Sequence, residues 1–116
     1  MHSPSGRYLW ATSRGQRGTK YNAYVSCFLL GDDGAIVKKM FMIASSSGGV
    51  TSNAITPAFW SDEYAVFTEA TNGKIDILKL GGSTTGKQGL EYKTADRVAT
   101  LTISDGGCCA NAVWYS

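Results

Sequence analysis

A chain of 116 residues, 43% of them hydrophobic and 17% charged, has the size and composition of one ordinary globular domain. Its net charge of +2 is too small and too dispersed to imply nucleic acid, and neither a basic run nor an aromatic-plus-basic ribonucleoprotein signature occurs. No apolar run approaches the ~18 residues of a membrane span, and the N-terminus lacks a signal peptide's apolar core, so the expected setting is cytoplasmic with no membrane partner.

The chain opens on Pro4-Ser5-Gly6, in which Pro4 presets a turn and Gly6 supplies the freedom to close it. Residues 7–13 are β-branched, aromatic or small without helical spacing, which predicts a strand, and Arg14 sits where that strand ends. A loop arginine carried by a rigid strand is either a solvated side chain or a planar fork aimed at a carboxylate or phosphate. The polar loop 14–20 leads to a predicted strand at 21–30, the turn Gly31-Asp32-Asp33-Gly34, and a strand at 35–44. A small-residue loop at 45–52 precedes a short strand at 53–56. Pro57 then opens a turn into a strand at 63–70. Thr71-Asn72-Gly73 carries an Asn-Gly hairpin signal, with its partner strand at 74–80. Residues 81–89 form a flexible insertion of Gly, Ser and Thr. Strands at 97–103 and 110–115 follow, separated by Ser104-Asp105-Gly106-Gly107. No segment has helical periodicity, so the chain reads as all-β.

Cys27, Cys108 and Cys109 make an odd set without a Cys-x-x-Cys spacing, which fits reduced thiols better than a disulfide framework. His2 is the only histidine, which excludes a histidine-cluster metal site within the chain. No metal or other cofactor is expected. Trp10, Trp60 and Trp114 are expected in the core between sheets.

The strands repeat. Ser46-Ser47-Gly48-Gly49 before Asn53-Ala54-Ile55 is echoed by Ser104-Asp105-Gly106-Gly107 before Asn111-Ala112-Val113. Tyr8-Leu9-Trp10-Ala11 is echoed by Tyr64-Ala65-Val66-Phe67. An offset of about 57 residues holding four strands matches a β-propeller blade with a loop insertion, and two repeats alone could also be the halves of a sandwich. With strands named A to D outward from a propeller axis, B, C and D of one blade fall within 7–44. A full blade covers 53–103, and a lone inner strand lies at 110–115. The first blade then lacks its A strand, and the whole of 1–116 reads as a partial propeller of roughly two blades, since a ring needs about four or more.

Residues 4–15, Pro-Ser-Gly-Arg-Tyr-Leu-Trp-Ala-Thr-Ser-Arg-Gly, resemble the repeat signature of the lactonase-type seven-bladed propellers. That superfamily includes bacterial 6-phosphogluconolactonases and the fungal 3-carboxy-cis,cis-muconate lactonising enzymes. Ser47-Gly48-Gly49 through Pro57, Trp60-Ser61-Asp62-Glu63 and Asn111-Ala112-Val113-Trp114-Tyr115 are more similar to the fungal cyclases. The likeness covers nearly the whole chain, in the place of the family's C-terminal third. It implies a cytoplasmic, cofactor-free isomerase of aromatic catabolism acting on a polycarboxylate, with a homo-oligomer possible for the complete enzyme. A sugar lactonase and a non-catalytic propeller remnant stay open beside it.

In a propeller blade the D-to-A and B-to-C loops share one face, here 14–20, 45–52, 71–73 and 104–109. Arg14, Asn53, Glu69 and Asn111 are expected at that face, and His2 and Ser3 at the opposite one. By the resemblance, Arg14 matches an active-site arginine. A guanidinium there would bind substrate carboxylates and stabilise charge developing during lactonisation. Asn53 and Glu69 are the candidate substrate-binding residues, with Glu69 expected as a solvated carboxylate on the rim. The general acid is expected outside this chain.

Overall fold

The structure, a computed structural model, describes residues 1–14, 23–44, 53–69, 73–86, 89–103 and 114. The described residues contain strands and turns and no helix, so none is long and apolar enough to cross a membrane. The first sheet runs β1 (Tyr8–Ser13), β2 (Tyr24–Leu30), β3 (Ile36–Ala44), each antiparallel to its neighbour. The second has the order β4 (Asn53–Pro57), β5 (Tyr64–Glu69), β6 (Lys74–Gly81), β9 (Thr94–Thr102), again antiparallel throughout.

Each sheet follows from its alternation. In β1 and β2, Tyr8, Trp10, Val25, Cys27 and Leu29 point to one side and are buried. In the second sheet Ile55, Ala65, Phe67, Leu78 and Leu80 do the same, and the two sets join in one apolar core between the sheets. Trp10 is its largest wholly buried side chain, edge-on to Phe41 with ring centroids 6.0 Å apart. The last strand of each sheet is different. β3 and β9 are exposed along most of their length, with Ile36, Val37, Met42, Val98 and Leu101 open to solvent.

Turn chemistry fixes the registers. Gly34 adopts φ 81°, and the Asp33 carboxylate accepts from the Ala35 amide at 3.0 Å, closing the β2–β3 turn. Gly73 opens β6 at φ 63°. A Cβ there would stand 2.5 Å from the Ile103 carbonyl oxygen, so this position needs glycine twice over.

The repeat read from the sequence has a geometric counterpart. The Arg7 amide donates to Ser5 Oγ, and the Glu63 amide to Ser61 Oγ, both at 3.1 Å. Ser3 and Ala58 amides donate to the Tyr8 and Tyr64 carbonyls at 2.8 and 2.9 Å, and Leu30 and Leu80 to those of Arg7 and Glu63, each at 2.8 Å. The same local device therefore launches the same strand pair in both sheets.

Three expectations need correction, while residues 1–3 lie along β1 beside the three-stranded first sheet. His2 bridges Leu9, and Met1 and Trp10 exchange backbone bonds at 2.7 and 2.8 Å. The insertion is not a slack loop: Thr84–Gly86 and Gly89–Glu91 form a small hairpin, β7 and β8. It packs against the first sheet, with the Tyr8 hydroxyl donating to the Leu90 carbonyl at 2.8 Å and Lys38 paired with Glu91 at 3.0 Å. The strand expected from 97 begins earlier, at Thr94, because 94–96 continue the pairing to Gly81, Leu80 and Lys79. Trp60 is 54% exposed, on a turn where its ring meets Phe59 and Trp114 at 5.1 and 4.8 Å instead of entering the core. The inner strand expected at 110–115 lies outside the described residues, except that Trp114 Nε1 donates to the Thr56 carbonyl at 2.9 Å.

Candidate functional site

Three residues singled out in the sequence meet at one end of the paired sheets. Arg14 follows the last residue of β1 and is exposed. Asn53 opens β4 and is only 8% exposed, and its Nδ2 donates to the Ser13 carbonyl at 3.2 Å. Glu69 closes β5 directly opposite Asn53, and Lys74 stands opposite Glu69 on β6. Asn53 therefore joins the second sheet to the residue from which Arg14 departs.

Glu69 is not the solvated rim carboxylate expected. It is wholly buried, at 0% exposure. Strand parity is the cause: positions 65, 67 and 69 share a face, and Ala65 and Phe67 on that face are in the core. The same parity brings in a residue that reading by motif passed over. Asp76 sits in the run Lys-Ile-Asp-Ile-Leu-Lys-Leu, where Leu78 and Leu80 face the core, so Asp76 must face it too. An acidic residue at an inward position was the signal available in the sequence.

Asp76 is 1% exposed and fully engaged. Thr100 Oγ1 donates to its Oδ1 at 2.7 Å, and Arg97 Nε to its Oδ2 at 3.2 Å. Arg97 Nη2 then crosses the seam and donates to the Ala44 carbonyl at 2.9 Å. Ser13, Tyr24 and Ala44 form one row across the end of the first sheet. Asn53 and Arg97 thus grip the final carbonyls of β1 and β3, the two points from which chain leaves the first sheet at this end.

His2 is not part of this arrangement. Its bridge partner Leu9 lies five residues before Arg14 on one extended strand, roughly 16 Å away. A shallow polar depression of about 140 Å³ lies at that far end, lined by Ser5, Gly6, Arg7, Leu30, Gly31 and Asp32. Cys27 is buried in the core, and burial pushes its thiol up to about 12, which makes it inert as a nucleophile near neutrality. Asn111, Cys108 and Cys109 lie outside the described residues. Among the described residues no three His, Cys, Asp or Glu side chains come together as metal ligands would.

Chemically, this end offers an exposed guanidinium whose strand is fixed at its last carbonyl, beside a row of buried polar groups. A guanidinium in such a place can pair with a carboxylate or a phosphate.

No known family's sequence profile matches the chain. The chain is 32% identical, over 111 residues and 96% of its length, to the carboxy-cis,cis-muconate cyclase of Neurospora crassa. It spans 27% of that relative's length.

Proposed function

We propose that the chain forms part of a lactonase-type β-propeller that cyclises a carboxy-cis,cis-muconate, and that Arg14 belongs to its substrate site. Residues 7–44 and 53–103 are then successive blades, and 110–115 begins the innermost strand of a third. The identity to the Neurospora cyclase along nearly the whole chain carries this reading. The repeated strand-launching turns and the antiparallel order in both sheets support the blade assignment.

The chemistry asked of the site is an isomerisation. One carboxylate oxygen of the substrate adds across a conjugated double bond to close the lactone, and negative charge moves towards another carboxylate. A general acid then delivers a proton to carbon, in place of the one the attacking carboxylic acid had released to solvent, so the lactone is an isomer of the substrate acid. A fixed guanidinium binds the polycarboxylate and opposes the charge as it develops, which lowers the barrier only if its direction is set beforehand. Arg14 supplies that charge, and the proton donor comes from elsewhere in the complete protein.

The test is turnover by the complete protein that contains this chain. It is expected to consume 3-carboxy-cis,cis-muconate, followed by loss of the diene absorbance, and to leave 6-phosphogluconolactone untouched. Hydrolysis of the sugar lactone without muconate turnover would replace this reading with the lactonase one.

A further inference from the structure

We infer that Asn53 is a positioning residue for Arg14 and not itself a ligand for substrate. This rests on the reading of Arg14 as a carboxylate-binding group. Asn53 is nearly buried, and one N–H of its Nδ2 donates to the Ser13 carbonyl at 3.2 Å. At 8% exposure the rest of the amide is largely shielded from a ligand outside the seam.

The position gives that bond its effect. Residues 1–3 cover the outer edge of β1 only beside Tyr8–Trp10, through the His2–Leu9 bridge and the Met1–Trp10 exchange. Among the described residues, no strand is paired with that edge beyond Trp10, so Ala11–Ser13 have only β2 as a ladder, although β4 packs close to β1. The Asn53 amide adds a hydrogen-bonded tether from β4 to this end. It acts on the peptide that joins Ser13 to Arg14, and so on the direction in which the arginine leaves the strand. Without the tether the end of β1 frays, as strand ends do, and the arginine leaves the strand over a wider range of directions. Placement of a charged group within a fraction of an ångström is what distinguishes a preorganised site from a loose one.

The experiment uses the complete protein that contains this chain, with 1,2,4-benzenetricarboxylate as the probe, binding followed by chemical-shift changes and amide exchange read at Arg14. Asn53→Ala removes the tether, and the similarly sized Asn53→Leu removes it while filling the space, in case truncation unfolds the chain. Each is expected to weaken the probe by about fivefold, the worth of one lost neutral hydrogen bond, and to speed exchange at Arg14. In an Arg14→Ala background the same substitutions are expected to change probe binding no further, a coupling that general loosening of the fold would not produce. Unchanged affinity and unchanged exchange in a folded Asn53→Leu chain would overturn the inference about Asn53. Probe binding identical in the unsubstituted and Arg14→Ala chains would instead overturn the reading of Arg14 on which it rests.

Discussion

Arg97 stands on the outermost strand of the second sheet, yet its guanidinium reaches the backbone carbonyl of Ala44, the last residue of the first sheet, at 2.9 Å. What holds the side chain in that pose is Asp76, buried beneath it and accepting from both Arg97 and Thr100. The seam between the sheets is thus apolar through its middle and closed by polar side chains at the end where Arg14 emerges.

Breaking this clasp costs stability. Asp76→Ala leaves Thr100 and Arg97 without their acceptor. A wholly buried pair would lose ~3–5 kcal/mol, but the Arg97 side chain is 32% exposed and water can take over part of its solvation. The expected loss is about 2–3 kcal/mol in urea unfolding, against less than about 0.5 kcal/mol for the exposed pair in Lys38→Ala. Equal losses for the two variants would show that the clasp is merely a surface contact.

Tyr8 tests the inserted hairpin. Its hydroxyl ties β1 to the Leu90 carbonyl, and its ring meets Tyr92 edge-on at 5.6 Å. Tyr8→Phe keeps the packing and removes the bond, so a loss of about 1 kcal/mol is expected. A hairpin that only brushes the sheet would leave the midpoint of unfolding unmoved.

Alkaline pH should destabilise the chain through Cys27 and Tyr8. Burial pushes the Cys27 thiol from its usual 9.0 to about 12, and burial together with the nearby Tyr92 pushes Tyr8 from 10.0 to about 12. Both groups hold their protons in the folded state after the unfolded chain has released them. Their contribution is therefore fully present below about pH 9 and declines as pH rises towards 12. The urea midpoint is expected to be level between pH 7 and 8 and to fall from pH 9 upward. Cys27→Ala should lower the plateau through the cavity it leaves and make the alkaline decline shallower. A decline as steep as in the unsubstituted chain would remove Cys27 as a cause.

Strand identity was legible in the sequence because alternation and Gly-Asn-Asp turns act locally. These signals place β2, β3, β5 and β6 within a few residues of their ends. Side-chain direction was legible in principle by the same parity, which puts Glu69 with Phe67 and Asp76 with Leu78. Charge drew the reading of Glu69 outward to solvent, while the core face it shares draws it inward. What local pattern could not carry was contact between distant segments. The grip of Asn53 on Ser13 spans 40 residues and that of Arg97 on Ala44 spans 53, and neither leaves a spacing to find. The hairpin at 84–91 was hidden for a different reason. Its Gly-Ser-Thr composition reads as slack, and its order comes from Tyr8, Lys38 and Met40 on the other sheet.

The apolar residues on the outer strands lead to a prediction about the isolated chain. Val98 and Leu101 on β9, and Ile36 and Val37 on β3, form exposed strands that can pair with other copies. Sedimentation velocity is expected to show association that rises with concentration and is reduced in Leu101→Lys. A monomer at all concentrations would mean that these strands are adequately protected as they stand.

The central claim is that Arg14 meets substrate carboxylates, and its most direct measurement is kcat/KM for muconate cyclisation by the complete protein carrying substitutions at this residue. Arg14→Ala is expected to lose about 2–4 kcal/mol of transition-state stabilisation. Arg14→Lys should lose less but still clearly fall short, because it keeps the charge without the two-pronged donor geometry. Arg17→Ala, in the same stretch of sequence, is the control and should retain nearly full activity. If Arg14→Ala performs as well as the Arg17→Ala control, Arg14 is a solvated side chain, and the site proposed at this end of the sheets is wrong.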